Sequence, residues 1–337
     1  MTTNRRMVLA AGSFAGMSLF NIRKLRADAP QFAYKWATNM ASDHSINIRG
    51  QEAVDRIKEK SGGRLVISIF PNNQLGADTD LLTQIRSGAI DFYTISPILA
   101  STIIPGAAIS GIGFAFKDAK AAFTALDGDL GAHVRAEIAK TPLIALDKIF
   151  ELGFRQTTTS TRPIDVPGDF KGVKLRVPPG ALYSSLFSTL GASPVTINFN
   201  ETYTALQTRI ADGQDNPLIV VKTARLFEVQ RYCSLTNHIW DGQWLFANKR
   251  SFNALPADLQ EIARASFAQA AEDQRRDVAR ANESVTAELK AAGLTFNTTD
   301  SEQFKKALQA GGFYKVWREK FGEPAWKVLE RYTGEIG

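Results

Sequence analysis

Two arginines stand at the ends of strand-like runs, where a charged side chain is out of place. Arg176 ends the apolar run in "GVKLRVPPG", and Arg155 lies in "FRQTTTS" after a glycine. A guanidinium with five donors at such a position needs an acidic partner from the protein or an anion from outside. Because ligands of open α/β sheets bind beyond the ends of strands, both arginines are candidate anion-binding residues. A structural ion pair is the more common role of either arginine taken alone.

A third candidate is Asn216, in the stretch "ADGQDNPL" at residues 211–218. Pro217 suits the first helical position, so the sequence predicts that Asn216 caps a helix. Capping uses only the side-chain oxygen and leaves the amide NH2 free to donate. The unpaired N–H groups of the first helical turn also favour an anion. A carboxylate could therefore meet Arg176 on one side and Asn216 on the other.

The sequence lacks the motifs of common catalytic and metal sites. It contains no GxSxG, no HExxH, no Walker loop, no GxGxxG after a strand and no EF-hand spacing. A single cysteine, Cys233, excludes an internal disulfide and a thiol-based zinc cluster, and we expect it to be buried. We therefore predict a protein that is not an enzyme and holds no metal or cofactor. A secreted hydrolase without a recognised motif is the alternative class.

The amino terminus predicts export. "MTTNRRMVLAAGSFAGMSLF" joins a basic start to an uncharged run, and "ADA" at residues 27–29 has the form of a signal-peptidase site. Residues 1–29 are thus an expected export signal, of the twin-arginine type by the pair Arg5 and Arg6, or of the general secretory type. We expect a periplasmic protein that is water-soluble after processing, since no other run of about 18 apolar residues follows.

The charge balance argues against nucleic acid as a partner. The formal net charge is +6, but residues 1–29 hold five cations and one anion, so removal of the signal lowers that charge by four. A nucleic-acid-binding protein needs a basic stripe that survives processing, and the rest of the chain has none.

The remaining chain alternates strand-like and helix-like segments. The first series is a strand at 32–38, a helix at 46–60, a strand at 64–70, the helix "DTDLLTQIRSG" and the strand "AIDFYTIS". A second series of the same kind follows, so the sequence predicts an α/β protein of two lobes, each a sheet flanked by helices. Residues 257–292 contain no Gly or Pro. As one helix they would extend about 54 Å and span both lobes.

Six stretches of the chain resemble the extracytoplasmic solute-binding subunits of tripartite ATP-independent periplasmic (TRAP) transporters. They occur in the expected order between about residues 32 and 330: "SGGRLVISIFPNNQLG", "QIRSGAIDF", "RPIDVPGDFKGVKLRVP", "LGASPVTINFNETYTALQT", "IADGQDNP" and "FEVQRYCSLTNH". The resemblance implies a periplasmic-binding-protein-like fold whose two lobes close on an organic acid. The lobes we predict are residues 30–153 plus 241–280, and residues 154–240 plus 281–337.

The resemblance also implies roles for particular residues. Arg176 matches the family's arginine that forms a two-pronged salt bridge with the ligand carboxylate, Asn216 matches an asparagine that adds a hydrogen bond, and Arg155 matches a second arginine. A second group of candidates comes from positions expected to face the cleft: His44, Gln74, Asp78, Trp240 and Asp241. Of these, Trp240 is a candidate for stacking on a sugar face or an aromatic ring.

We expect the ligand to be a hydroxylated monocarboxylate, such as a uronate or another sugar acid. An acidic side chain near the ligand repels a second carboxylate, which disfavours a dicarboxylate. An aromatic carboxylate and a dicarboxylate are the alternatives. The resemblance implies delivery to a membrane permease driven by an ion gradient, and we predict that the protein is a monomer without a cofactor.

Overall fold

The computed structural model describes residues 29–337. The predicted export signal, with its Arg5–Arg6 pair, lies outside the described residues except for Ala29. The strands are β1 (Phe32–Ala37), β2 (Leu65–Phe70), β3 (Phe92–Ile95), β4 (Leu143–Ala145), β5 (Phe150–Thr159), β6 (Lys174–Val177), β7 (Ser193–Thr196), β8 (Gly213–Pro217), β9 (Tyr232–Leu235), β10 (Trp240–Asn248) and β11 (Thr295–Thr298).

The helices lie between and after these strands. They are α1 (Ser45–Lys60), α2 (Asp78–Ser87), α3 (Pro97–Ala100), α4 (Ala119–Asp127), α5 (Asp129–Ala139), α6 (Ala181–Thr189), α7 (Thr202–Gln207), α8 (Leu218–Thr223), α9 (Lys249–Asn253), α10 (Ala257–Ala291), α11 (Ser301–Ala310), α12 (Phe313–Phe321) and α13 (Glu323–Thr333). Within residues 29–337, no helix is both long enough and apolar enough to cross a membrane.

Two long central strands connect the halves of one mixed sheet. The strand order is β2-β1-β3-β10-β5-β8-β6-β7, with β4 beside β10 and β9 between β5 and β11. The beginning of β5 pairs with the beginning of β10, whereas the rest of β5 pairs with β8 and β9. The rest of β10 pairs with β3 and β4. We call the strands on the β3 side of this crossing the first half of the sheet, and those on the β8 side the second half.

The helix α10 is continuous over 35 residues and packs on both halves. Asp277 of α10 accepts a hydrogen bond from Arg49 of α1 at 2.6 Å, on the first half. Glu288, three turns later, pairs with Lys222 of α8, on the second half. The predicted α/β class, the two-lobed architecture and the long helix that spans it are thereby confirmed.

The core around α10 is built from large aromatic side chains. The indole of Trp36 in β1 meets the ring of Phe267 edge-on, with centroids 5.4 Å apart, and Phe92 packs on the same ring at 5.3 Å. All three rings are buried. Apolar side chains that alternate along a strand reach the helix layer on one face, so this packing follows from the strand patterns.

The close approach of α1 to the sheet requires a glycine. A Cβ atom at Gly50 would lie 2.8 Å from the Trp36 side chain and 3.2 Å from that of Ile69. Trp36 cannot move aside, because it is fully buried between other rings.

We therefore expect Gly50→Ala to lower the free energy of unfolding by about 1–3 kcal/mol through overpacking, even though alanine favours helices. Urea unfolding followed by circular dichroism measures this. Gly168→Ala is the matched control: no heavy atom of the described part of the chain lies within 4 Å of its Cβ position, so a change within about 0.5 kcal/mol is expected. Equal losses in the two variants would contradict the packing explanation.

Candidate functional site

A small cavity lies between the two halves of the sheet, at the ends of β1, β3 and β6. Its volume is about 40 Å³. Small-molecule sites usually measure about 300–1,000 Å³, so an organic acid could enter only if the halves separate. The lining residues are Asn39, Met40, Asp78, Ser96, Leu99, Leu152, Arg155, Arg176, Pro178, Phe199, Asn216, Asp241 and Gln243. Five of the predicted site residues are among them: Arg155, Arg176, Asn216, Asp78 and Asp241.

Arg176 offers a buried cation whose hydrogen bonds are incomplete. Its strand β6 lies between β7 and β8, and the side chain is 1% exposed. Nε donates to the carbonyl oxygen of Ile197 at 3.0 Å, but Nη2 is buried and has no partner among the described residues. Burial lowers the pKa of Arg176 to about 10, and the charge of Arg155 acts in the same direction. The guanidinium therefore stays charged at neutral pH, with a donor to spare.

Arg155 lies in the middle of β5, not at the end of a strand as predicted, and it is held by carboxylates of the protein itself. Its Nε donates to Asp215 Oδ2 at 2.5 Å, its Nη1 donates to Asp241 Oδ2 at 2.6 Å, and its Nη2 donates to the Asp215 carbonyl oxygen. The guanidinium carbon also lies 4.7 Å from the ring centre of Tyr183. These carboxylates compensate the charge of Arg155, whereas the hydrogen bond of Arg176 goes to a neutral carbonyl oxygen. A contact between Arg155 and a ligand stays a prediction.

His238 extends the buried network around Arg155. Its Nε2 lies 3.1 Å from Asp215 Oδ2, and its Nδ1 lies 2.8 Å from the Thr236 hydroxyl. Burial lowers the pKa of His238. Burial by itself raises the pKa of Asp215, but Arg155 and His238 hold it well below its usual value. The pKa of Asp241 is raised, chiefly by burial.

Asn216 lines the cavity, but it does not cap a helix as predicted. The pairing of β8 with β5 continues to Pro217, which makes Asn216 a strand residue opposite Gln156. The helix α8 begins after Pro217, and no side chain among the described residues caps it. The Asn216 amide NH2 donates one of its two hydrogens to Gln214 Oε1, and its contact with a ligand stays a prediction. Pairing with β5 therefore outweighed the local helix-start signal "NP".

Asp78 connects the two halves. It is the first residue of α2 and is 2% exposed. Its Oδ1 accepts hydrogen bonds from the side-chain amides of Asn39 at 3.0 Å and Asn73 at 3.1 Å, on the first half. Its Oδ2 accepts from the backbone N–H of Phe199 at 2.9 Å, on the second half. A single carboxylate thus bonds to both walls of the cavity.

Three predicted site residues lie outside the lining of this cavity. His44 caps α1: its Nδ1 accepts from the backbone N–H of Ile46 at 3.2 Å, and burial lowers its pKa to about 4. Gln74 is exposed in the turn after β2. Trp240 is buried and packs edge-on against Phe123, with centroids 5.5 Å apart. Their contacts with a ligand stay predictions.

Several lining residues were not among the predicted site residues, notably Asn39, Ser96, Phe199 and Gln243. One signal for Gln243 was present in the sequence. Side chains two positions apart on a strand share a face, and Gln243 follows Asp241 by two residues in β10. Phe199 and Asn39 carry no comparable signal, because loops bring them to the cavity.

Comparison with known proteins gives a family match over most of the chain. The model of a family described as "Bacterial extracellular solute-binding protein, family 7" matches residues 37–320. A similar protein is the 2,3-diketo-L-gulonate-binding periplasmic protein YiaO of Escherichia coli K12. It is 30% identical over 312 residues, which cover 90% of this chain and 91% of that protein.

Solved structures of solute-binding proteins have the same fold as this chain. The sugar acid binding protein DctPAm of Advenella mimigardefordensis, in complex with galactonate, is 27% identical, with a TM-score of 0.86 over 90% of this chain and 99% of that one. A TRAP periplasmic solute binding protein of Polaromonas sp. JS666, bound to D-erythronate, is 25% identical, with a TM-score of 0.85 over 90% of this chain and 98% of that one.

The buried ion pair of Arg155 and Asp215 should contribute to the stability of the fold. Asp215→Asn would leave the Arg155 charge short of one partner, so we expect the free energy of unfolding at pH 7 to fall by about 3–5 kcal/mol. Because the pKa of Asp215 lies below that of an unfolded aspartate, near 4, the carboxylate stabilises the fold above about pH 4. This contribution is lost as the pH falls further, so the gap between wild type and variant should shrink below pH 4.

Urea unfolding at pH 7 and pH 3 measures both effects. Asp258→Asn serves as the control, because this carboxylate pairs with Arg64 on the surface and should matter little. Equal stability of wild type and Asp215→Asn at pH 7 would show that Arg155 does not depend on Asp215.

Proposed function

The chain belongs to family 7 of the bacterial extracellular solute-binding proteins, and on that premise we propose that it captures a hydroxylated monocarboxylic acid in the periplasm and delivers it to the permease of a TRAP transporter. Relatives and structural neighbours are solute-binding proteins of transporters. The chain is accordingly a binding protein and not an enzyme, and the alternative of a secreted hydrolase is set aside.

The observation that carries the proposal is the incomplete bonding of Arg176. A buried donor without a partner costs about 1–3 kcal/mol, which a bound acceptor recovers. The planar guanidinium matches both oxygens of a carboxylate, a geometry that lysine lacks. Asn216 and Arg155 line the same cavity, which supports their predicted part in holding the carboxylate.

The ligand class follows from the acidic residues of the cavity. Asp78 and Asp241 line it together with Arg176, and carboxylates accept hydrogen bonds from hydroxyl groups but repel a second anion. The three proteins compared above support the same class, since their names give a diketogulonate, galactonate and erythronate as ligands. We therefore propose a sugar acid or uronate, with an aromatic carboxylate or a dicarboxylate as the alternatives.

Binding and closure are coupled in this proposal. We propose that the lobes divide as the sequence predicted, at residues 30–153 plus 241–280 and at residues 154–240 plus 281–337. Arg176 then lies on the second lobe, and Asp78 and Asp241 lie on the first. Only the closed state contacts both ends of an acid, so the ligand favours closure. Delivery to the permease subunits follows from the family, and the monomeric state and the secretion signal stay predictions.

The anchor role of Arg176 predicts a large loss of affinity on truncation. We expect Arg176→Ala to weaken binding of a sugar acid by about 2–5 kcal/mol, or roughly 30-fold to several thousand-fold, because the ligand carboxylate would be buried without its partner. Isothermal titration calorimetry measures this loss. Arg86→Ala, which removes an exposed arginine, should bind as wild type does. Wild-type affinity in Arg176→Ala would refute the anchor role.

The ligand class predicts the outcome of a thermal-shift screen. The panel contains D-galactonate, D-galacturonate and D-erythronate, with benzoate as the aromatic acid and succinate as the dicarboxylate. A ligand at 100 times its Kd stabilises the fold by about 2.7 kcal/mol, so a sugar acid that binds should raise the melting temperature clearly. The largest shift with benzoate or succinate would replace the proposed class with that alternative.

A further inference from the structure

Backbone groups determine the direction of a hydrogen-bond chain that begins at Asp78. The N–H of Phe199 can only donate, so Asp78 Oδ2 is an acceptor. The side-chain nitrogen of Asn73 lies 3.1 Å from the carbonyl oxygen of Gly76, which can only accept. The same nitrogen meets Asp78 Oδ1 at 3.1 Å, so Oδ1 is an acceptor as well. Both oxygens of Asp78 are therefore acceptors.

The acceptor role of Asp78 in turn determines how the side-chain amides of Asn39 and Gln243 are oriented. Because Asp78 Oδ1 accepts, Asn39 presents its NH2 group to it, at 3.0 Å. The Asn39 oxygen then faces the NH2 group of Gln243, at 3.0 Å. The two ends of a side-chain amide look alike by shape, but here the network assigns them. The Gln243 oxygen, Oε1, is left for another partner.

That oxygen has no partner among residues 29–337, although it is buried. Gln243 is 1% exposed and lines the cavity. An acceptor in this position costs free energy until a donor reaches it. The first half of the sheet thus contributes an unpartnered acceptor, and the second half contributes the unpartnered donor of Arg176.

Resting on the proposed function, we propose that Gln243 determines the specificity of the site: its Oε1 accepts a hydrogen bond from a hydroxyl group of the bound acid, away from the carboxylate held by Arg176. The ligand is then a monocarboxylate with a hydroxyl donor at that position. A second carboxylate there brings a charge but no hydrogen, and Asp241, which lies two residues from Gln243 in β10, repels it. An analogue without the hydroxyl leaves Oε1 unpaired.

Ligand analogues test the need for a donor in the unmodified protein. The probes are D-galactonate, D-galacturonate and D-erythronate, each with one hydroxyl at a time replaced by hydrogen or by fluorine, which cannot donate. In at least one of these acids we expect a position where both replacements weaken binding by about 5- to 150-fold, the cost of an unsatisfied buried acceptor. Tolerance of both replacements at every position would overturn the proposal, as would failure of all three parent acids to bind.

Gln243→Leu then connects that position to Gln243. In this variant the hydroxylated acid and its deoxy analogue should bind within about 3-fold of each other, because the acceptor is gone. Gln156→Leu is the matched control: Gln156 is also a buried glutamine on a central strand, but it bonds to Asn237 and does not line the cavity. Gln156→Leu should still bind the hydroxylated acid more tightly than its deoxy analogue, as wild type does. Discrimination that survives in Gln243→Leu as well would overturn the assignment.

Gln243→Glu gives a second readout that does not depend on the leucine variant folding. An ionised Glu would place an oxygen against the Asn39 oxygen, whereas a protonated Glu donates to it and keeps an acceptor for the ligand. The charged residues around this position are Asp78, Asp241, Arg155 and Arg176. Relative to wild type, affinity for the hydroxylated acid should rise from pH 8 to pH 5. If the ratio of the variant's affinity to the wild-type affinity is the same at pH 8 and pH 5, the proposed chain of hydrogen bonds is wrong.

These outcomes separate the two proposals. If Arg176→Ala abolishes binding of a sugar acid but Gln243→Leu keeps wild-type discrimination, only the role of Gln243 fails. If Arg176→Ala binds as wild type does, the proposed function fails first.

Discussion

Two guanidinium groups are buried in the same space between the halves of the sheet, and the polar residues around them are arranged by that constraint. A buried charge is tolerated only when it is paired and hydrogen-bonded. Arg155 meets this condition through Asp215 and Asp241, whereas Arg176 donates to one backbone carbonyl and has a nitrogen without a partner within residues 29–337. The site therefore combines one guanidinium whose three nitrogens all donate to the protein with a second guanidinium that lacks a partner for Nη2 among the described residues. The ion-pair cluster of Arg155 can keep the walls in place while the Arg176 cation remains available to an anion.

The ion-pair cluster lies where the two halves of the sheet are connected. Arg155 lies on β5 and Asp241 on β10, the two strands that connect the halves of the sheet. Asp78 adds a bond across the cavity to the backbone of Phe199. The long helix α10 packs on both halves. A ligand that satisfies Arg176 and Gln243 together would thus act where the two lobes already meet.

Much of this architecture could be predicted from the sequence because it depends on local patterns. Alternating apolar residues predicted β1, β2 and β3, and a stretch without Gly or Pro predicted α10. The predicted helix cap at Asn216 was wrong for the opposite reason: the register with β5, a long-range pairing, kept residues 213–217 in a strand, and α8 begins only after Pro217. The contact of Trp240 with Phe123, which comes from a distant helix, likewise depends on long-range packing.

The sequence by itself determined that a guanidinium lies near the end of a strand at Arg176, that the fold is α/β with a long helix, and that the ordered stretches resemble one family of binding proteins. These features depend on residue type and short spacings. Only the tertiary structure decided which arginine has all its hydrogen-bond partners within residues 29–337 and which does not. It also decided that Gln243 donates to Asn39, which leaves the Gln243 oxygen for another partner. Hydrogen-bond partners are set by contacts between residues up to about two hundred positions apart, and a linear pattern does not carry that information.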